Sequence, residues 1–363
     1  MALNENKKSR VSLFAKLSFF IFIFSLVMLL ISRSSVEYAN LIDGLISSHI
    51  RRFMANFGEI FSFSLFEIIV ISLPIIVVLV VALVVRGFKK GRSSVEITAN
   101  ILAVALLLYS GNALALGVSY NTTSVAEKLD LSAVEVTEQL LSEALGSLAD
   151  EINELSASVN YENGVSISGY GLDEASRKIC NSYAKINLEY GFPDSFYSTA
   201  KGVDALHFMS YLRLGGIYTY YTGEANVNTD YPEFDLYFTA AHELSHQRGV
   251  MQENEANFMA YLALSRSDDV YLRYSAALNM FSYIGNALWR TNPDEYYKIA
   301  AELPTVAIDD LRAASAVTAK YGDTFFADIS EAVNDLFLKS NGTDGTVTYG
   351  RVVKMYISYV YSN

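Results

Sequence analysis

Leu236–Arg248 reads LYFTAAHELSHQR, a helical stretch carrying H-E-x-x-H at His242, Glu243 and His246. Histidines at i and i+4 project from one helix face, about one turn apart, so both imidazoles reach a single zinc ion. Glu243 is offset by roughly 100° around the helix. That offset makes it a poor ligand and a good general base beside the open coordination position. So short a pattern also arises by chance, and its neighbours must support it.

The support lies downstream, in Gln252–Leu262 (QENEANFMAYL). Glu253 and Asn257 sit at i and i+4 on one face of a second helix. A carboxylate ligand followed one turn later by a polar partner for a ligating imidazole follows the outer-shell logic of zinc sites. Glu255 is the rival ligand, on another face and without such a partner. Few residues separate His246 from Glu253, so the first helix must stop abruptly. Gly249 is placed to make the left-handed turn that stops it.

Upstream, Gly215–Asn228 (GGIYTYYTGEANVN) is rich in aromatics and threonine and bounded by turn residues, which predicts one or two short strands. Glu224, Asn226 and Asn228 on such a strand are candidates for lining a cleft and pairing with an extended peptide. A polar turn is the plain alternative. His207, Tyr349 and Arg351 are candidate transition-state donors. His207 is also read as an ordinary packed or surface histidine, and 25 tyrosines make a chance placement of Tyr349 easy. Cys180, the single cysteine, excludes an internal disulfide and a thiolate metal cluster, and reads as a small buried hydrophobe.

The first third of the chain has a different solvent. Val11–Ile31, Phe63–Val85 and Ile97–Val118 are apolar runs long enough to cross a bilayer. The first lacks a small-x-small cleavage site, so it reads as an uncleaved anchor rather than a signal peptide. Glu67 reads as an interfacial carboxylate, and Pro74 predicts a kink. Residues 1–117 carry 11 basic against 6 acidic side chains, and the rest 16 against 33. An acidic C-terminal domain without a basic stripe argues against nucleic acid as a partner. Lys7, Lys8 and Arg10 before the first span, with Arg86, Lys89, Lys90 and Arg92 after the second, place both of those ends in the cytoplasm. Arg33, Arg51 and Arg52 in the first loop pull weakly the other way. Three spans starting inside put the C-terminal domain outside, in an extracytoplasmic setting.

Gly216–Ala263, with GIYTYYTGEANVN, HELSHQRG and ENEANFMAYLA, closely resembles the bacterial domain-of-unknown-function family 3810. The three-span start and the ending LKSNGTDGTVTYGRVVKMY extend the likeness over nearly the whole chain. The resemblance implies a membrane-anchored zinc metallopeptidase and supplies no substrate. More distantly, the site is similar to the gluzincins, whose HExxH is followed by ExxxD. That pattern maps onto Glu253 and Asn257, with Asn in place of Asp and a far shorter connection. Gly249 fits the metzincin HExxHxxGxxH, but Gln252 stands where its third ligand belongs.

The expected molecule is mainly α. Residues 1–118 form a membrane anchor of three transmembrane helices (about 11–31, 63–85 and 97–118). Residues 119–363 form an α-rich, zincin-like metallopeptidase domain with a small β element. The expected activity is zinc-dependent hydrolysis of a peptide or protein substrate, with Zn²⁺ on His242, His246 and Glu253 and with Glu243 as base. A catalytically silent, zinc-stabilised binding or sensor domain is the alternative, and Glu243 argues against it because a structural site needs no base. An intramembrane protease is the third class. It is disfavoured because Asp235 and Arg248 make the zinc helix a poor span.

Overall fold

The structure, a computed structural model, describes residues 11–322, 324–341 and 349–362. Its contacts divide the chain into two units, one of residues 1–50 with 66–122 and one of 51–65 with 123–363.

The first unit holds α1 (Leu13–Ser32), α2 (Val36–Ile42), the start of α3 (Ser48–Gly58), α4 (Leu65–Lys89) and α5 (Ser94–Asn112). Ser12 and Ser93 cap α1 and α5, each accepting a backbone N–H three residues on. Helices α1, α4 and the α5 region, which continues to Asn121, are long and apolar enough to cross a membrane. Helices α1 and α5 pack together, and most of their buried residues are small, Leu29 and Ile97 being the larger ones. Ala15, Ser18, Ser25 and Ser32 are buried on α1, and Ala103 and Ser110 on α5. The hydroxyls of Ser18, Ser25 and Ser110 donate to carbonyls of their own helices, so close approach leaves no orphaned polar group. Phe22 meets Tyr109 edge-on at 5.6 Å.

The second unit contains most of α3, which Arg51 onward places there, and then α6 (Val125–Lys128) and α7 (Glu138–Ser156). A hairpin of β1 (Asn160–Glu162) and β2 (Val165–Ile167) follows. Its turn, Asn163-Gly164, has positive φ at both residues, as a tight hairpin requires. The sequence reading did not include this hairpin. Helix α8 (Leu172–Tyr190) ends at Gly191, with φ +75°. Then come β3 (Lys201–Val203), α9 (Phe208–Tyr211), β4 (Gly216–Thr219) and β5 (Glu224–Asn228). The remaining helices are α10 (Glu233–Gln247), α11 (Glu253–Ser265), α12 (Val270–Thr291), α13 (Pro293–Ala300), α14 (Thr305–Tyr321), α15 (Phe325–Ser340) and α16 (Tyr349–Tyr361). The small sheet has the order β3-β5-β4, with β5 parallel to β3 and antiparallel to β4.

Helix α12 runs through the core, with α7, α10, α11, α13 and α16 against it. Alanine and leucine are the commonest residues there, with tyrosines among them. Ala240, Ala241, Ala256, Ala260, Ala276 and Ala277 let backbones approach, and Tyr183, Tyr237 and Tyr274 fill what is left. Two of these tyrosine hydroxyls find acceptors: Tyr183 donates to the Ala241 carbonyl at 2.7 Å, and Tyr274 to Asp310 at 2.8 Å.

Residues 51–65, which the sequence reading assigned to the anchor, are bonded into this unit. The Glu59 carboxylate accepts from the Thr199 N–H at 2.6 Å, and Lys201 Nζ donates to the Phe61 carbonyl at 2.8 Å. Ser64 Oγ donates to Asn226 Oδ1 at 2.7 Å, and the Leu65 N–H donates to Glu224 at 2.9 Å. Apolar periodicity reveals which residues seek burial but not which distant partner buries them. The segment therefore reads as a simple inter-span loop.

Candidate metal centre

Helix α10 begins after Pro232, with Glu233 and Asp235 in its first turn, where acidic groups complement the helix dipole. It ends at Arg248, and Gly249 then takes φ +96°. A Cβ there would lie 2.6 Å from Arg51 Nη2, so both the conformation and the space call for glycine. The Val250 N–H closes the turn on the Ser245 carbonyl at 3.1 Å. Arg248, itself buried, donates to the Leu244 and Phe196 carbonyls and lies over the rings of Tyr183 and Phe196. Helix α11 then opens with Glu253 at its first position.

This turn brings His242, His246 and Glu253 together, with one potential ligand atom from each lying within 4.8 Å of the others. The two Nε2 atoms are 3.0 Å apart. Glu253 Oε2 is 3.2 Å from His242 Nε2, and Oε1 is 3.7 Å from His246 Nε2. The outer ring nitrogens are both engaged. His246 Nδ1 donates to the Val250 carbonyl at 2.7 Å, and His242 Nδ1 donates to Asn257 Oδ1 at 2.8 Å. With the ring protons spent outward, both Nε2 lone pairs converge on one point beside a carboxylate. Such a centre calls for positive charge.

The protonation tendencies express the same demand. Burial alone would depress His246, but the Glu253 carboxylate outweighs it and lifts the imidazole to about 9. Burial likewise opposes ionisation of Glu253, yet the two imidazoles hold its carboxyl far below the ordinary range. A proton on His246 answers the demand in one way, and a divalent cation answers it in another. Two imidazole nitrogens and a carboxylate oxygen fit the donor preference of zinc, whose bonds of about 2.0–2.2 Å imply ligand separations of about the size seen here.

Glu243 is buried beside the trio and points toward strand β4, where its carboxylate accepts the Tyr218 backbone N–H. Burial pushes its carboxyl above the ordinary value, against the pull of the two imidazoles. The approach to β4 is so close that a Cβ on Gly216 would lie 2.5 Å from Glu243 Oε1. The pair Gly215-Gly216 is the sequence signal for this contact, and the sequence reading did not use it.

The other candidates fall elsewhere. Glu224, Asn226 and Asn228 lie on β5, the central strand, where all three are buried. Glu224 accepts from Leu65, Asn226 is bonded to Ser64 and Thr219, and Asn228 donates to Ser210 and the Leu214 carbonyl. The strand facing Glu243 is β4, at the sheet edge among the described residues. Glu224, Asn226 and Asn228 thus bond within the unit on the central strand, and the strand nearest Glu243 is β4 rather than β5. His207 is half-exposed and paired with Asp230 at 2.7 Å, beside the ring of Tyr321. Arg351 is exposed near the start of α16. The side chain of Tyr349 lies outside the described residues. Glu255 turns away from the histidines and accepts the Val125 N–H at 3.0 Å.

A cleft of about 420 Å³ opens against Glu253 and Asn257. Leu212, Arg213 and Leu214 before β4 form one wall, and Glu331 and Asn334 of α15 form another.

The family model described as a protein of unknown function (DUF3810) matches residues 38–357, and the chain belongs to that family. No curated protein and no solved structure matches it.

Proposed function

For this member of the family, we propose a membrane-anchored, zinc-dependent metallopeptidase in which Glu243 is the general base. One observation carries the reading: three ligand atoms converge on a point whose outer partners fix both imidazole tautomers, with a buried carboxylate alongside. Bound zinc would supply Lewis acidity toward the scissile carbonyl and a nucleophile at neutral pH. Asn257 and the Val250 carbonyl hold His242 and His246 with Nε2 turned inward. Glu243, raised by burial and fixed by the Tyr218 N–H, accepts the proton of the attacking water and passes it to the leaving amine. The adjoining cleft offers room for polypeptide next to Glu253.

The membrane part of the proposal has the N-terminus in the cytoplasm and three crossings, leaving the C-terminal unit outside. The bonding of residues 51–65 into that unit supports an odd number of crossings. The loop after the first span and the domain after the third must then share a side. Arg51 also drops out of the charge balance, because it is buried rather than available to lipid headgroups.

The test is digestion of a peptide pool by the full chain and by Glu243→Gln, with zinc content measured in both. Wild type should cut, and the variant should lose about 10²–10⁴-fold in rate while keeping its metal. Identical product spectra, or no cleavage at full zinc occupancy, would leave a zinc-stabilised binding domain instead.

A further inference from the structure

Helix α3 is built the wrong way round for water. Its inward residues are Arg51, Ala55 and Gly58, all buried, and its outward residues are Phe53, Phe57 and then Ile60 just beyond its end. Both sets repeat at spacings of four and three, so each lines one helix face. Exposed Asn56 interrupts this outward face, but large apolar side chains recur along it to the end of the segment. Phe53 is 69% exposed, Ile60 73% and Phe63 51%. Phe57 meets Phe61 at 5.6 Å, and Phe61 meets Phe63 at 5.7 Å, an aromatic run that leads directly to Leu65.

The buried Arg51 guanidinium is paired with Asp194 at 3.5 Å, but leaving phenylalanines outside is unfavourable in water. It is favourable where the outer medium is itself partly apolar. Leu65 begins α4, the most apolar of the three candidate spans. Phe63 is two residues from that start and Ile60 five, at most about 18 Å of extended chain. Aromatic side chains concentrate in the headgroup layer that flanks the roughly 30 Å hydrocarbon core. Exposed Arg52, on the same helix, has the long stem that reaches phosphate from such a position.

We infer that Phe53, Phe57, Ile60 and Phe63 rest in the bilayer's interfacial layer, making residues 51–65 a membrane-surface element as well as part of the C-terminal unit. The occupant of this apolar face is lipid. The inference rests on the membrane reading of α4 and is independent of the metal.

The test uses the full chain with Cys180, its single cysteine, replaced by alanine. Single cysteines are introduced as Phe57→Cys, Ile60→Cys, Val78→Cys and Leu188→Cys, each carrying a fluorophore, in phosphatidylethanolamine–phosphatidylglycerol vesicles. Lipids bearing a nitroxide near the headgroup should quench positions 57 and 60, and lipids bearing it near the chain end should quench position 78. Leu188, 87% exposed in the C-terminal unit, should respond only to aqueous iodide. If 78 is quenched by lipid while 57 and 60 answer only to iodide, or to neither agent because protein covers them, the inference is overturned. If 78 also escapes lipid quenching, the membrane reading falls and takes the inference with it.

Discussion

In the N-terminal unit the buried residues of α1 are Ala15, Ser18, Ser25, Leu29 and Ser32, mostly small, while Phe19, Phe20 and Leu30 stand exposed. In the C-terminal unit Tyr183, Tyr237, Phe258 and Tyr274 are buried, and charged pairs such as Lys185–Asp268 lie outside. The same twenty side chains are sorted by opposite rules. Where water is the solvent, apolar area drives burial. Where lipid is the solvent, apolar area gains nothing by burial, and close packing of small residues takes over. Residues 51–65 share features of both, burying Arg51, Ala55 and Gly58 while exposing Phe53, Phe57 and Ile60.

The largest effect that would break this contrast is a charge on an outward apolar position. Val78→Lys in α4, where valine is 66% exposed, should cost about 2.5–3.5 kcal/mol of insertion free energy. An insertion assay of the isolated hairpin of spans reads this. A variant that inserts as well as wild type would place α4 in water.

Within the C-terminal unit, Asn257→Ala removes the acceptor that fixes His242. Metal affinity should fall about 10–100-fold, measured by competition with a chromophoric chelator. Unchanged affinity would show that the hydrogen bond to Asn257 does no orienting.

A smaller effect concerns a buried acid. Asp310 accepts from the Ser166 N–H and from Tyr274, both at 2.8 Å, and burial raises its carboxyl above the ordinary 3.8. For a raised acid, the stabilising protonated form is fully present below 3.8 and is lost as pH climbs through the folded value. Asp310→Asn should therefore gain thermal stability relative to wild type as pH rises, and the gain should vanish toward pH 3.8. A pH-independent difference would mean that burial does not bias this carboxyl.

The smallest effect is the mirror of the first. Leu188→Lys, at an even more exposed leucine, should change stability by no more than about 0.5 kcal/mol. A large loss would show that Leu188 is covered in solution.

Much of this was legible in the sequence for physical reasons. The three helices long and apolar enough to cross a membrane declare themselves through apolar length, the third despite Asn100, Ser110 and Asn112. The imidazoles of His242 and His246 are neighbours by helix geometry alone, and Gly249 had to turn the chain for Glu253 to return to them. Asn257 followed from one helical turn. What stayed hidden depends on long-range pairing. Nothing local in residues 51–65 indicates Thr199, Lys201 or Asn226 as their partners. Strand order was hidden too: GIYT and EANVN both read as strands, but only the fold makes β4 the edge and β5 the centre. Glu243 was read as the base without its support, because Gly216 matters only once two distant segments meet.

The central claim is that the two histidines and Glu253 hold one zinc ion. The most direct test is metal stoichiometry of the full chain, for wild type, Glu253→Ala and Glu255→Ala, after dialysis against equal free zinc. The account predicts one zinc per chain in wild type and in Glu255→Ala, and loss in Glu253→Ala, because only Glu253 faces the Nε2 atoms while Glu255 bonds Val125. A wild type that retains no metal, or a zinc that survives Glu253→Ala and leaves with Glu255→Ala, would contradict it.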